Sequence, residues 1–153
     1  MLHQPINTVT GENEYTTTST YIYKLPDWFI RETDMTASGG KPCLVIPIGT
    51  VTDGASVPWW LWSILRLRPD GLIRAAALTH DPLYGQRGWV YGESSTKRAY
   101  FKNVEPESWH LSRKLVDRLF LHIMLEAGMK RRRAWRAYLG VRWFAKLHKR
   151  WSV

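Results

Sequence analysis

Four residues near the middle of the chain have side chains suited to acid–base chemistry, namely His80, Asp81, Tyr84 and Asp117. On a helix, His80 and Tyr84 are four positions apart and share a face, whereas Asp81 points about 100° away. A second helix can bring Asp117 to His80, and a histidine oriented by a carboxylate is the usual arrangement of a general base. We therefore predict His80 as a base and Asp117 as its partner.

The same region contains ligands that a metal ion could use. Asp81 remains free to hold a cation, and Asp53 lies in a glycine-containing loop whose backbone carbonyls can complete an oxygen-rich site. Oxygen ligands of this kind suit a hard cation such as Ca²⁺. A zinc site of His80, Asp81 and Asp117 is less natural, because an adjacent histidine and aspartate rarely converge on one small ion.

These residues also have a purely structural interpretation. Asp81 precedes Pro82 and can serve as a turn or cap residue. His80 can be a hydrogen-bonded histidine of the core, and Asp117 can lie on the solvent side of its helix. Spacing alone leaves both interpretations open.

Two segments in the N-terminal third have the composition of strands. Residues 14–25 are rich in β-branched and aromatic types, and residues 43–48 form a second, shorter apolar run. Pro47 within that run indicates an edge strand or a strand end. We predict that the two strands pair as a small antiparallel sheet, followed by a loop over residues 50–58.

Three main helices are predicted after the sheet, which makes the fold class α+β. They cover residues 71–84, 108–127 and 130–151. The first is expected to kink or end at Pro82, and the second to begin at Ser108 as its N-cap. A short helix is also expected over residues 59–65, and residues 85–106 have the glycines of a long loop.

The net charge of +9 is concentrated at one end of the chain. Residues 1–126 contain 13 Lys/Arg and 13 Asp/Glu, whereas residues 127–153 contain nine Lys/Arg and no acidic residue. On the last predicted helix the basic residues fall on one arc, and most apolar residues lie elsewhere. This basic face can be merely solvated, can bind the phosphates of nucleic acid or anionic lipid, or can dock on an acidic partner. The residues predicted for phosphate binding are Arg132, Arg136, Arg142, Lys146 and Arg150.

The remaining composition bears on the compartment. Cys43 is the only cysteine, so an internal disulfide is excluded. We find no transmembrane run and no signal peptide, and we expect synthesis and folding in a cytoplasm.

Several segments, in the same order along the chain, resemble the DUF1353 family. They are residues 45–58, 75–84, 116–120 and 137–142, together with Met124 and Gly128. The family is common in phages and prophages, and its function is not settled. The resemblance implies a single domain over residues 1–153, with a strand and loop region (14–58), a helical core (71–128) and a basic C-terminal helix (129–153). It also implies a host cytoplasm, phage structural subunits as partners, and incorporation in a virion as one outcome.

This chain departs from the DUF1353 pattern at three places. The insertion over residues 85–108 is long, Pro82 replaces an aromatic residue, and Val116 stands where a small residue usually precedes the aspartate.

A second, shorter resemblance is to phospholipase A2, especially the domain in parvovirus capsid proteins. An alanine-rich segment leads into His80, Asp81 and Tyr84, and a later segment carries Asp117 and Phe120. The resemblance implies His80 as the catalytic base, Asp81 as a calcium ligand, and Asp117 and Tyr84 as its catalytic supports. The glycine-rich calcium loop of that family is not recognisable, and only residues 52–56, which include Asp53, occupy a comparable place.

These patterns lead to three hypotheses for the function. The first is a metal-dependent hydrolase that acts on an ester or amide and is centred on His80. The second is a structural component of a phage tail, neck or baseplate, in which the site is vestigial or holds a loop. The third is a non-specific binder of nucleic acid or membrane surfaces that uses the last helix.

Overall fold

The computed structural model describes residues 7–9, 15–52, 73–92, 98–105 and 108–147. The fold in these residues is α+β, as predicted, with helices that follow or flank an antiparallel-rich sheet. The strands are β1 Asn7–Val9, β2 Tyr15–Thr17, β3 Tyr21–Lys24, β4 Thr36–Ala37, β5 Cys43–Ile46, β6 Val51–Thr52, β7 Trp89–Tyr91, β8 Tyr100–Lys102, β9 Val104–Glu105 and β10 Ser108–His110. The helices are α1 Asp27–Glu32, α2 Arg74–Gly85, α3 Arg113–Glu126 and α4 Arg131–Leu147.

The largest sheet among the described residues has five strands in the order β10-β7-β8-β5-β3. The predicted pairing of the two N-terminal strands is confirmed, because β3 and β5 are antiparallel neighbours from Tyr21↔Ile46 to Lys24↔Cys43. Since β5 also pairs with β8, it lies inside the sheet. Pro47 follows the last residue of β5 and therefore marks a strand end rather than an edge.

The core lies between this sheet and the helices. Along β3 the side chains alternate between buried and exposed, as expected for a strand with one face toward the core. Fully buried side chains from several elements meet there and include Phe29 of α1, Leu44 of β5, Phe101 of β8 and Phe120 of α3. This packing fixes α2 and α3 against each other over the sheet, and these two helices carry the candidate site.

Two smaller sheets and one short helix complete the described part of the chain. The sheets have the strand orders β1-β2-β6 and β4-β9. The predicted strand over residues 14–25 is divided, because residues 18–20 interrupt it between β2 and β3. Helix α1 was not predicted. It follows Pro26, which occupies its N-cap position with an extended backbone.

The long loop predicted over residues 85–106 is only partly observed, because three strands lie within the described part of this segment. It contains β7, β8 and β9, and β7 pairs with β8 in parallel. Apart from Lys102, β7 and β8 are built from aromatic and β-branched residues, with Val90 and Phe101 buried between more exposed neighbours. This alternation outweighs the glycines that indicate a loop.

The predicted start of the next helix at Ser108 is also wrong. Ser108 lies in β10 opposite Tyr91, whereas α3 begins at Arg113. Ser112 is the N-cap, and its hydroxyl accepts a hydrogen bond from the Leu115 backbone N–H at 3.3 Å. An N-cap must satisfy the free N–H groups of the first turn, and only Ser112 is adjacent to that turn.

Pro82 does not end its helix. Helix α2 continues to Gly85, and the Gln86 N–H donates to the Pro82 carbonyl at 2.9 Å. The proline has no N–H to donate to the preceding turn, but its own carbonyl stays in the helical pattern. His80 and Tyr84 consequently remain one turn apart on the same helix.

Other predictions fall partly or wholly outside the described residues. These are the short helix over residues 59–65, the loop beyond Thr52, and Asp53. The last predicted helix is observed as α4, and residues 148–151 of that prediction are not described. Among the described helices, none has the length and apolar character that crossing a bilayer requires.

Candidate functional site

Helices α2 and α3 bring together three of the residues predicted for chemistry. His80 Nε2 lies 3.1 Å from Asp117 Oδ1, within hydrogen-bond distance. The Tyr84 hydroxyl donates a hydrogen bond to the same carboxylate oxygen. The four-residue spacing on α2 therefore gives both side chains one face, and that face meets Asp117 on α3.

Two aromatic rings fix the orientation of the histidine. The Tyr84 ring stacks on the His80 ring with centroids 4.0 Å apart and planes inclined by 29°. Phe120, one turn after Asp117 on α3, contacts the same imidazole at a centroid distance of 4.9 Å. Because neighbouring rings restrict its rotation, the imidazole is held in the orientation that points Nε2 at Asp117.

A further residue of the site comes from α4. Arg142 Nη1 donates to Asp117 Oδ2 at 3.3 Å. Asp117 therefore accepts hydrogen bonds from α2 and α4 while lying fully buried on α3. Three donors around one buried carboxyl group fit an ionised carboxylate, since tyrosine and arginine contribute only donors in this arrangement.

Sequence reasoning missed Arg142 as a site residue and assigned it to phosphate binding. The signal available was its neighbour Val141, whose apolar side chain marks the side of α4 that faces the core. Among the other residues predicted for phosphate binding, Arg132 and Arg136 are exposed. The side chain of Lys146 and all of Arg150 lie outside what the structure describes.

The other imidazole nitrogen faces Asp81. Nδ1 lies 3.7 Å from Asp81 Oδ1, which is too long for a hydrogen bond but close enough for a strong charge interaction. Within the described part of the chain, Nδ1 has no hydrogen-bond partner. His80 is only 3% exposed and Asp81 is 9% exposed, so this nitrogen is in a buried, weakly screened environment.

The environment of the site changes the proton affinity of two of its residues. Burial lowers the pKa of His80, but the hydrogen bond to Asp117 and the negative charges of Asp117 and Asp81 outweigh burial and raise it above its ordinary value. Burial, followed by the charge of Asp117, raises the pKa of Tyr84. Tyr84 therefore keeps its proton at all physiological pH values and remains a hydrogen-bond donor to Asp117.

Only part of the predicted calcium site lies within the described residues. No group of three or more His, Cys, Asp or Glu side chains in that part of the chain is arranged to hold a metal ion. Asp81 supplies one carboxylate, whereas calcium requires six to eight oxygen ligands. Asp53, the other predicted ligand, lies outside the described residues.

Comparison with known proteins identifies the family. The sequence matches the model of the family described as "Protein of unknown function (DUF1353)" over residues 32–141, which is 110 of the 153 residues. This range includes His80, Asp81, Tyr84 and Asp117, and ends one residue before Arg142. No curated protein and no solved structure matches the chain, so the resemblance to phospholipase A2 rests on the site residues themselves. The match extends over most of the sequence and contains both site helices in full, and the chain belongs to the DUF1353 family.

Proposed function

We propose that this protein is a hydrolase in which His80 acts as a general base on water, with an ester or amide as the substrate. The observation that carries the proposal is the difference between the two imidazole nitrogens in their hydrogen bonding. Nε2 is held by Asp117, and Nδ1 has no hydrogen-bond partner in the described part of the chain. With Nε2–H donated to the carboxylate, neutral His80 presents the lone pair of Nδ1 as a proton acceptor.

In the proposed reaction, Nδ1 takes a proton from a water molecule while the water oxygen attacks the carbonyl carbon of the substrate. The resulting imidazolium returns the proton to the leaving alcohol or amine as the carbon–oxygen or carbon–nitrogen bond breaks. Asp117 stabilises the transient positive charge on His80, since the carboxylate lies 3.1 Å from Nε2. Water and substrate are the only other reactants, and the products are an acid and an alcohol or amine.

Tyr84 and Arg142 act as positioning residues in this proposal. Each donates to a different oxygen of Asp117, so together they fix the plane of the carboxylate. Tyr84 additionally stacks on the imidazole that Asp117 orients. Loss of either residue is therefore expected to reduce the rate without removing a reacting group.

Calcium dependence remains a prediction. The described residues alone do not supply a calcium site, and the steps above involve no cation. Phospholipid is the substrate class that the resemblance to phospholipase A2 favours.

The test is fatty acid release from phospholipid vesicles by the wild-type protein and by His80→Ala, with calcium and with chelator. We expect release by the wild type and a fall to background in His80→Ala. His110→Ala is the matched control, because it removes an exposed histidine of β10 outside the site. His80→Gln keeps a polar side chain in the buried position and serves if the alanine variant does not fold. Background release from the wild type under both conditions would refute a phospholipid hydrolase. Loss of release in the presence of chelator would support the calcium prediction, and equal release with calcium and with chelator would contradict it.

A second candidate function is a structural component of a phage virion. The observation that favours it is burial, because His80, Asp81 and Asp117 are all buried and the hydrogen bonds of Asp117 link α2, α3 and α4. In this alternative the same network fixes helix packing, and water does not reach Nδ1. Detection of the protein in purified virions, together with absence of hydrolysis, would favour the structural role over the enzyme.

A further inference from the structure

The inner side of helix α4 packs into the core. Ala134, Ala137, Tyr138 and Val141 recur at helical spacing and are all buried, and α4 packs on α3. These residues account for the apolar face that a helix needs in order to join a core.

The opposite side of α4 carries a second apolar stripe, which stays exposed within the described part of the chain. Trp135, Leu139 and Trp143 are spaced four residues apart and are 41%, 56% and 61% exposed. Arg132 and Arg136 are exposed within the same arc. We call these five residues the α4 outer face.

The α4 outer face contradicts the simple amphipathic arrangement predicted for this helix. That prediction placed the basic residues on one arc and most apolar residues elsewhere. Instead, large apolar side chains and arginines are interleaved on the side that faces solvent. Two tryptophans and a leucine in one exposed stripe are typical of an interaction site, not of a face that contacts only water.

We propose that the α4 outer face binds the surface of an anionic phospholipid membrane, with the helix lying parallel to the membrane plane. Tryptophan side chains favour the boundary between headgroups and acyl chains, where an apolar ring and a polar N–H are both satisfied. Leu139 lies between the two tryptophans and reaches the acyl region. Arg132 and Arg136 then lie at the level of the lipid phosphates.

Charge complementarity also favours an anionic surface. Residues 127–153 contain nine Lys/Arg and no Asp/Glu, so no acidic side chain of this segment opposes contact with negative headgroups. A nucleic acid would match the arginines and could stack on tryptophan, but it offers nothing to the aliphatic Leu139 at the centre of the stripe. The interleaved pattern therefore fits lipid better than nucleic acid.

Membrane binding by the α4 outer face does not depend on His80. The experiment therefore measures binding separately from hydrolysis. Binding is measured by co-sedimentation with vesicles of ether-linked lipids, which cannot undergo ester hydrolysis. One vesicle is pure phosphatidylcholine, and the other also contains phosphatidylglycerol. We expect the protein to bind the mixed vesicles, to bind the neutral vesicles much more weakly, and to dissociate as salt is raised.

Variants of the outer face identify its residues. Trp135→Ala combined with Trp143→Ala is expected to weaken binding to the mixed vesicles by roughly tenfold or more, because two interfacial side chains are lost. Each of Arg132→Gln and Arg136→Gln is expected to weaken it about fivefold. Trp89→Ala is the matched control for the tryptophans, since Trp89 is 48% exposed on β7 and lies outside the helix.

Three outcomes would overturn the proposal. One is equal binding of the wild type to neutral and mixed vesicles, or to neither. Another is wild-type affinity in the double tryptophan variant, with its fold verified by circular dichroism. The third is binding to a single-stranded oligonucleotide, or self-association detected by light scattering, that is lost in the outer-face variants while binding to vesicles is not.

Discussion

At the scale of single residues, Asp117 is the shared hydrogen-bond acceptor of the candidate site. Its carboxylate is completely buried and accepts from His80, Tyr84 and Arg142. A carboxylate removed from water is stable only when such donors replace its hydration. The pairing of His80 with Asp117 is predictable from residue type and spacing. Arg142 is harder to predict, because the helical arc places it with the basic residues and its apolar neighbour Val141 is the available sign that this side of α4 faces the core.

Asp117→Asn tests the role of this charge. The variant retains the size of the side chain but removes the negative charge that His80 and Arg142 share. We expect a loss of about 3–5 kcal/mol in the free energy of unfolding, since buried partners lose their counter-charge. Any hydrolytic rate is expected to fall roughly 10²- to 10⁴-fold. Denaturant unfolding and the vesicle assay measure the two effects.

Asp34→Asn is the matched control for that variant. Asp34 is exposed and adopts a positive φ of 51°, a conformation that asparagine also tolerates. Its replacement is expected to change the stability by less than about 0.5 kcal/mol. Equal losses in the free energy of unfolding for Asp117→Asn and Asp34→Asn would show that the buried charge of Asp117 contributes nothing particular to stability.

Tyr84→Phe isolates one hydrogen bond while retaining the ring that stacks on His80. We expect a loss of about 1.5–3 kcal/mol, as is typical for a hydrogen bond to a charged group. With one donor fewer, the Asp117 charge acts more strongly on His80, so the His80 pKa is expected to rise further. Tyr91→Phe, at a 41% exposed position on β7, should change neither quantity. A Tyr84→Phe variant with an unchanged His80 pKa would exclude the positioning role.

At the scale of elements, local patterns identify most helices but place their ends poorly. The apolar spacing of α3 is evident in the sequence, yet its start is not, because Ser108 and Ser112 are both suitable N-caps. Only the pairing of β10 with β7 removes Ser108 from the helix. Likewise, β7 is a short strand between Gly88 and Gly92, and β8 pairs with β5, which is distant in sequence.

The two serines provide a direct comparison. Ser112→Ala removes the side-chain acceptor for the Leu115 N–H and is expected to cost about 1 kcal/mol of stability. Ser108→Ala affects an exposed residue of β10 and is expected to change the stability by less than about 0.5 kcal/mol. Urea denaturation of both variants measures the difference. A larger loss for Ser108→Ala would contradict the observed start of α3.

At the scale of the whole molecule, the α+β class follows from the composition of the two halves of the chain. The parallel pairing of β7 with β8 and the position of β5 inside the sheet do not, since they depend on long-range packing. Family membership covers the site helices but adds no chemistry of its own. Any chemistry of this chain therefore depends on the geometry around His80.

The raised pKa of His80 makes the stability of the whole fold depend on pH. The folded protein holds the His80 proton more tightly than the unfolded chain does, whose histidine pKa is about 6.5. The stabilisation is fully present below that value and is lost as the pH rises through the higher pKa of the folded state. We expect the difference in unfolding free energy between the wild type and His80→Gln to shrink as the pH is raised from about 6 to about 9. A difference in unfolding free energy that grows over this pH range would contradict a raised pKa of His80.

The most direct test of the central claim is the protonation of His80 itself, followed by nuclear magnetic resonance of protein with isotope-labelled histidine. Assignment uses His80→Gln, in which the His80 signals disappear. We expect a neutral form with hydrogen on Nε2 and none on Nδ1, and a pKa above that of an ordinary histidine, about 6.5. A neutral form with hydrogen on Nδ1, or a pKa below the ordinary value, would contradict the assignment of His80 as a base oriented by Asp117.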